Sequence, residues 1–306
     1  MQQHPTAPAA DAKVSDVFGT DFLKKLEYLA IVAKRLFSGM QKGERRSTRR
    51  GTSVEFADYR DYSQGDDLRH IDWNIYGRLE KLLLKMYEEE AELFVYLLVD
   101  TSRSMAWGGP VAKIDYAKRV AAAIAYIALS SQDRVVLSTF NEGVMEKSEP
   151  LQGKRQIFSV FDFLERAESF GKTDLGGTLD DWARMKMRKG IAVVVSDFLD
   201  EKGVEDGLRA LRTARFETHL VHVVDPREAK PDLEGHVEVI DSETLEKRQV
   251  FVGPEILKKY EEEFGSFCRD IEHRCSEKGV GYIRALTDVP FEDLILRMLR
   301  RGGFVL

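Results

Sequence analysis

Apolar positions along this chain follow two alternating patterns. Continuous apolar runs bounded by polar residues read as buried strands over 93–99, 134–140, 191–196, 218–224 and 280–286. Between and after them, apolar residues recur every three or four positions over 115–130, 156–168, 179–188, 201–214, 254–278 and 291–300, the spacing of one helix face. Asn141-Glu142-Gly143 reads as a turn returning the chain into a strand at 144–148, and 236–240 with 248–252 flank a second hairpin turn. Strands alternating with helices predict a doubly wound, mainly parallel α/β sheet with helices on both faces.

The amino-terminal part differs. Residues 1–16 are polar and proline-containing and read as a disordered tail. A helix follows, with Thr20 as its expected cap. Its stripe of Phe22, Leu26, Leu29, Ala33 and Leu36, widened by Leu23, Ala30 and Phe37, is expected to pack on the main domain rather than lie on a membrane surface. The basic segment 42–50 reads as a solvated, mobile linker, with docking on an acidic partner or on phosphates as the alternative. Alternation at Val54, Phe56 and Tyr59, and again at Leu82, Leu84 and Met86, hints at two strands separated by a turn at Ser63-Gln64-Gly65-Asp66. The expected division is a tail at 1–16, a helix, linker and acidic/arginine box at 17–92, and an α/β domain at 93–306 with a hairpin insertion near 236–252.

Composition narrows the class. The chain has 306 residues, 32% charged and 43% hydrophobic, as expected of a soluble globular protein. A net charge of -6 and a basic segment without interleaved aromatics give no argument for nucleic acid. No run approaches the ~20 apolar residues of a membrane span, and the N-terminus lacks the apolar core of a signal peptide. Cytoplasmic residence is therefore expected. The two cysteines, Cys268 and Cys275, lie seven apart on one predicted helix and read as free thiols.

The candidate chemistry sits where predicted strands end. Val99 is followed by Asp100-Thr101-Ser102-Arg103-Ser104, and Ser196 by Asp197, while Gly171-Lys172-Thr173-Asp174 lies in a loop leading into a helix. Ligands of open doubly wound sheets bind beyond the carboxyl ends of the strands. The Asp-x-Ser-x-Ser spacing lets one loop aim a carboxylate and two hydroxyls at a single point, and Thr173 adds a hydroxyl from a second loop. Oxygen donors with only two carboxylates, Asp100 and Asp197, suit Mg²⁺ better than Ca²⁺, with Mn²⁺ also permitted. Other motifs fail. Gly171-Lys172-Thr173 lacks the upstream glycine of a phosphate loop, where Arg166 stands. There is no Gly-x-Ser-x-Gly elbow and no zinc spacing. His219 and His222, three apart on a strand, point to opposite faces and read as core or edge residues.

These residues resemble the metal-ion-dependent adhesion site of von Willebrand factor A-like domains. The resemblance implies that Asp100, Ser102 and Ser104, with Thr173 and Asp197, hold one divalent ion whose shell a partner's carboxylate completes. Many such domains have glycine after the last aspartate, where this chain has Phe198. A narrower resemblance covers nearly the whole chain beyond the tail. The box Glu55-Phe56-Ala57-Asp58-Tyr59-Arg60-Asp61-Tyr62, then Gly65-Asp66-Asp67-Leu68-Arg69-His70-Ile71-Asp72-Trp73, is similar to the signature of the domain of unknown function 58 family, as are Tyr87-Glu88-Glu89-Glu90 and Ser196-Asp197-Phe198-Leu199-Asp200. That resemblance implies partnership with a MoxR-type AAA+ ATPase in protein or metal-cofactor assembly.

The expected function is then a non-enzymatic, Mg²⁺-dependent protein-binding module, an adaptor or co-chaperone that captures an acidic side chain of the ATPase or its client. The alternatives are a metal-dependent phosphoester hydrolase, with Asp174, Asp180 and Asp181 as nearby acids, and a scaffold with an empty site. Within the box, aspartates paired with Arg60, Arg69 and Arg78, anchored by Trp73 and Tyr62, are expected to fix the loop. A docking surface formed by Arg60, Asp66, Asp67, Arg69, Asp72 and Trp73, and acid–base chemistry at His70, are the alternatives.

Overall fold

The computed structural model describes residues 17–19, 21–40, 55–88, 93–200, 203–241 and 246–300. The expected tail at 1–16, the Thr20 cap and the basic segment 42–50 lie outside them. The chain divides into two compact units, one formed by 1–37 with 93–306 and the other by 38–92.

The elements in chain order are α1 (Phe22–Met40), β1 (Glu55–Asp61), α2 (Trp73–Leu79), β2 (Leu83–Glu88), β3 (Phe94–Asp100), α3 (Lys113–Ser130), β4 (Arg134–Phe140), β5 (Val144–Lys147), β6 (Leu151–Gln152), α4 (Ile157–Arg166) and α5 (Leu175–Arg184). There follow β7 (Ile191–Ser196), α6 (Glu205–Thr213), β8 (Glu217–Val224), α7 (Pro226–Ala229), β9 (Gly235–Ile240), β10 (Lys247–Val252), α8 (Pro254–Lys278), β11 (Gly281–Leu286) and α9 (Phe291–Arg300). The smaller unit pairs β1 with β2, antiparallel.

In the larger unit a seven-stranded sheet runs β11-β8-β7-β3-β4-β5, with β6 also on β4. The pairs β11–β8, β8–β7, β7–β3 and β3–β4 are parallel, while β5 and β6 run antiparallel to β4. The mixed α/β class with a mainly parallel sheet is as the hydrophobic pattern predicts. β9 and β10 form the expected separate hairpin.

Alternation along the strands sorts the core into two layers. Val95, Leu97 and Val99 of β3 pack with α1, α3, α4 and α9, and Phe94, Tyr96 and Leu98 pack with α5, α6 and α8. Strands covered on both sides have no polar face to show, which is why they read as continuous apolar runs. Helix α1 belongs to this unit and not with the box that follows it. Phe22, Leu26, Leu29 and Ala33 are buried in the first layer, and Phe22 packs 4.9 Å from Phe291 of α9.

The bounds of two helices, α5 and α6, depart most from expectation. Helix α5 starts at Leu175 rather than 179 because Asp174 caps it, accepting the Gly177 N–H at 3.1 Å. Gly176 and Gly177 interrupt the apolar period and hide that start. It ends at Arg184, and the hydroxyl of Tyr96 donates to the Arg188 carbonyl at 2.8 Å in the extended segment beyond. Gly207 of α6 lets α5 approach closely, since a Cβ there would lie 2.8 Å from Leu179. Helix α6 is also shorter than the predicted 201–214.

Cys268 and Cys275 are free and buried. Burial raises both thiols, Cys275 to about 12. His219 and His222 are buried on opposite faces of β8, and burial pushes His222 down to about 3, so it is neutral. No helix among the described residues is long and apolar enough to cross a membrane.

Docking of α1 through Leu29, which has no solvent exposure, carries a prediction. Leu29→Ala is expected to destabilise the larger unit by ~2–5 kcal/mol in chemical denaturation. A helix that served only as a membrane-surface anchor would leave the unfolding midpoint unchanged.

Candidate functional site

The strand order reverses at β3. The connection from β3 through α3 leads to β4 on one side, and β7 lies on the other and leads through α6 to β8. Because α3 and α6 cover opposite faces, the two connections part and leave a crevice at the carboxyl ends of β3 and β7. Asp100 closes β3 and Asp197 follows β7 directly, so the two predicted carboxylates flank this crevice.

Asp100 is wholly buried. Its Oδ1 accepts the Ser102 N–H at 2.8 Å, and its Oδ2 accepts the Ser196 hydroxyl at 2.6 Å. The Ser196 Oγ in turn accepts the Phe198 N–H at 2.9 Å, tying the two loops together. Burial and the nearby charge of Asp197 push the Asp100 carboxyl up to about 7, against the hydrogen bonds from Ser196 and Ser102. The Ser102 and Ser104 hydroxyls are 3.0 Å apart and both buried.

The second loop is joined to the first by backbone. Phe170 N–H donates to Thr101 O at 2.9 Å, and Arg103 N–H to Gly171 O at 3.1 Å. Asn141 lies beneath, donating to Phe170 O at 3.1 Å and accepting the Asp174 N–H at 3.1 Å through its own carbonyl. Thr173 therefore sits on a loop held against the Asp100 loop, and its hydroxyl oxygen is buried.

Asp197 carries a partner that the sequence reading missed. Its Oδ2 lies 2.7 Å from Nζ of Lys113, a side chain with no solvent exposure, and its Oδ1 accepts the Leu199 N–H at 3.2 Å. Lys113 also pairs with Glu228. Burial disfavours the ammonium, but the two carboxylates outweigh it and its pKa is raised. Glu228 belongs to a capping box: Asp225 accepts the Arg227 N–H at 2.9 Å while Glu228 accepts the Asp225 N–H at 3.2 Å. The other oxygen of Asp225 accepts the Gly109 N–H at 2.7 Å, anchoring the loop that delivers Lys113. One signal of the network was in the sequence, since Asp225-Pro226-Arg227-Glu228 has capping-box form, but nothing in it pointed to the crevice, and the expected helix began at 115, past Lys113.

Phe198 stands where the resemblance implies glycine, and its backbone takes φ 55, the left-handed region. Its ring is buried, edge-on to His222 at 5.4 Å. Burial of the ring, worth ~1.5–3 kcal/mol, offsets the ~1–2 kcal/mol of left-handed strain.

A family model described as Protein of unknown function DUF58 matches residues 58–265, from β1 into α8. The chain belongs to this DUF58 family. Uncharacterized proteins of Mycobacterium tuberculosis and Mycobacterium bovis are each 26% identical to it over 286 residues, covering 91% of this chain and 90% of their own. Among solved structures, the conserved hypothetical protein BatB of Bacteroides thetaiotaomicron aligns with 69% of this chain and 97% of its own, at 15% identity and a TM-score of 0.43.

The DUF58 match takes in both the crevice and the box of the smaller unit. In the box, Arg60 pairs with Asp66 at 2.7 Å, and the Arg69 fork holds both oxygens of Asp67. Asp72 caps α2, accepting the Asn74 N–H at 2.9 Å, and also takes the Tyr59 hydroxyl at 3.0 Å and Lys85 at 3.1 Å. The expected aspartate–arginine network is present at Arg60 and Arg69. Trp73 does not anchor it: the ring is 59% exposed, edge-on to Tyr76. Asp66 and Asp67 are engaged by arginines and His70 is exposed, so this arrangement does not assemble an acid–base pair. Of the acids near Thr173, Asp174 caps α5 and Asp180 pairs with Arg184 at 2.6 Å. Among the described residues no three His, Cys, Asp or Glu side chains gather as a metal-binding group, so a metal in this DUF58 chain would draw on hydroxyls beside Asp100 and Asp197.

The box predicts a pH response. The Arg69 fork lowers Asp67, while Lys85, Tyr59 and two N–H groups lower Asp72 in spite of burial. Their stabilising contribution is present above the unfolded value, about 3.8, and is lost as pH falls through the lowered folded values. Carboxyl carbon NMR is expected to show both titrating below pH 3.8.

Proposed function

We propose that this DUF58 chain is a divalent-ion-dependent protein-binding module of von Willebrand factor A-like type, acting in the cytoplasm as an adaptor or co-chaperone of a MoxR-type AAA+ ATPase. The observation that carries the reading is the gathering of Asp100, Ser102 and Ser104 with Asp197 at the switch-point crevice, the Thr173 loop hydrogen-bonded beside them.

The donors fit Mg²⁺ in kind and in spacing. Adjacent ligands of an octahedral ion at ~2.1 Å stand about 3 Å apart, and the Ser102 and Ser104 oxygens are 3.0 Å apart. The charges fit as well. With Asp100 ionised, Asp100, Asp197 and the part-buried Glu228 carry three negative charges against the one ammonium, which pairs with Asp197 and Glu228, leaving two negative charges, the complement of one divalent ion. When bound, the ion would supply a Lewis-acidic centre for a partner's carboxylate. Asp100, Ser102, Ser104, Thr173 and Asp197 would hold it.

The rim favours a protein partner. Each of the three loops bears one large exposed apolar residue: Trp107 (44%), Phe170 (48%) and Leu199 (40%). Exposed apolar side chains on the loops that carry the charged residues have the anatomy of a protein-binding patch.

Mg²⁺ is expected to raise the melting temperature of the wild-type chain, by the equivalent of ~2.7 kcal/mol at a hundred times Kd, and Asp100→Ala is expected to abolish that response. A purified MoxR-type ATPase should bind in Mg²⁺ and not in EDTA. Trp107→Ala and Phe170→Ala should keep the thermal response and weaken the ATPase by about tenfold or more. No thermal response in the wild type would favour the empty scaffold, and Mg²⁺-dependent phosphoester turnover lost in Asp197→Ala would favour the hydrolase.

A further inference from the structure

Lys113 is the first residue of α3 and its side chain has no solvent exposure. Both facts work against an ammonium, through the helix dipole and through desolvation. The surrounding chain nevertheless delivers it deliberately. Gly108 allows the preceding loop to fold back on itself, since a Cβ there would lie 2.6 Å from Ala112 Cα and from Val111 O. The Lys113 N–H donates to Trp107 O at 3.0 Å, and Gly109 is pinned by Asp225. The Trp107 ring lies 5.9 Å from the ammonium, with the Arg227 guanidinium 4.9 Å from the same ring. The ammonium then ends between Asp197 Oδ2 and Glu228 Oε1.

We propose that Lys113 is a built-in counter-cation of the ion site: it holds one oxygen of Asp197, and a divalent ion entering among Asp100, Ser102 and Ser104 has to share that carboxylate with it. Lys113 thereby sets how tightly the ion is held. The inference rests on the ion-site reading above. Each carboxylate oxygen has two lone pairs, so sharing is chemically open to Asp197. The nearby positive charge weakens the hold on a second cation. Glu228 acts in the opposite sense, drawing the ammonium partly away from Asp197 and adding negative charge.

A lysine that only braces the loop would alter folding stability and leave intrinsic ion affinity alone. The test is therefore a binding constant. Mn²⁺ titrated alone, with free ion read by electron paramagnetic resonance, is compared across wild type, Lys113→Met and Glu228→Gln, each checked for fold by circular dichroism. Lys113→Met keeps the stem and removes the charge, and is expected to bind Mn²⁺ at least about tenfold more tightly than wild type. Glu228→Gln is expected to bind more weakly. Equal or weaker binding in folded Lys113→Met overturns the proposal while leaving the ion site standing. If Lys113→Met does not fold, Glu228→Gln decides: weaker binding supports the proposal, and unchanged or tighter binding overturns it. If neither wild type nor any folded variant binds Mn²⁺, the ion site and this inference fall together.

Discussion

Strand β3 is buried at every position, and the larger unit is organised around that constraint. A strand covered on both faces needs helices on both sides and a strand on each edge. It obtains the edges from β4 and β7 and the faces from α3 on one side and α5 and α6 on the other. The chain must leave it in one direction for β4 and approach it from the other side through β7. The crevice is the geometric residue of that choice, and the backbone places Asp100 and Asp197 on either side of it whatever their chemistry.

What the crevice contains is costly. Removing a carboxylate from water is unfavourable unless it is paired or hydrogen-bonded. Asp197 and Glu228 are compensated by the ammonium, and Asp100 by hydrogen bonds from Ser196 and Ser102. The raised Asp100 carboxyl records that imbalance. An apolar pair of similar volume would carry no such cost.

Much of this was legible from residue order. Apolar runs located the five parallel strands because both faces are covered, and the period of three to four located helices α3, α8 and α9. The short pieces were not legible. Two-residue β6, four-residue α7 and seven-residue α2 are too brief to show a period, and α5 was shifted because its first turn is Leu-Gly-Gly. At the site, Asp100, Ser102 and Ser104 could be read because one loop presents them at fixed spacing. Lys113, Asn141 and Glu228 could not, since each reaches the crevice from a different part of the chain. Trp73 was misplaced for the opposite reason: an aromatic beside charged residues suggests an anchor, and only the fold reveals that its ring faces outward.

The two cysteines give the molecule one further property. Both are sealed inside α8 with their thiols raised, and thiolate is the reactive form. To an alkylating dye the folded chain is therefore nearly blank. A single cysteine placed at an exposed position beside the crevice would be the one that takes a fluorophore, without removing the native pair. The protein is in this sense already prepared for distance and polarity measurements beside the crevice.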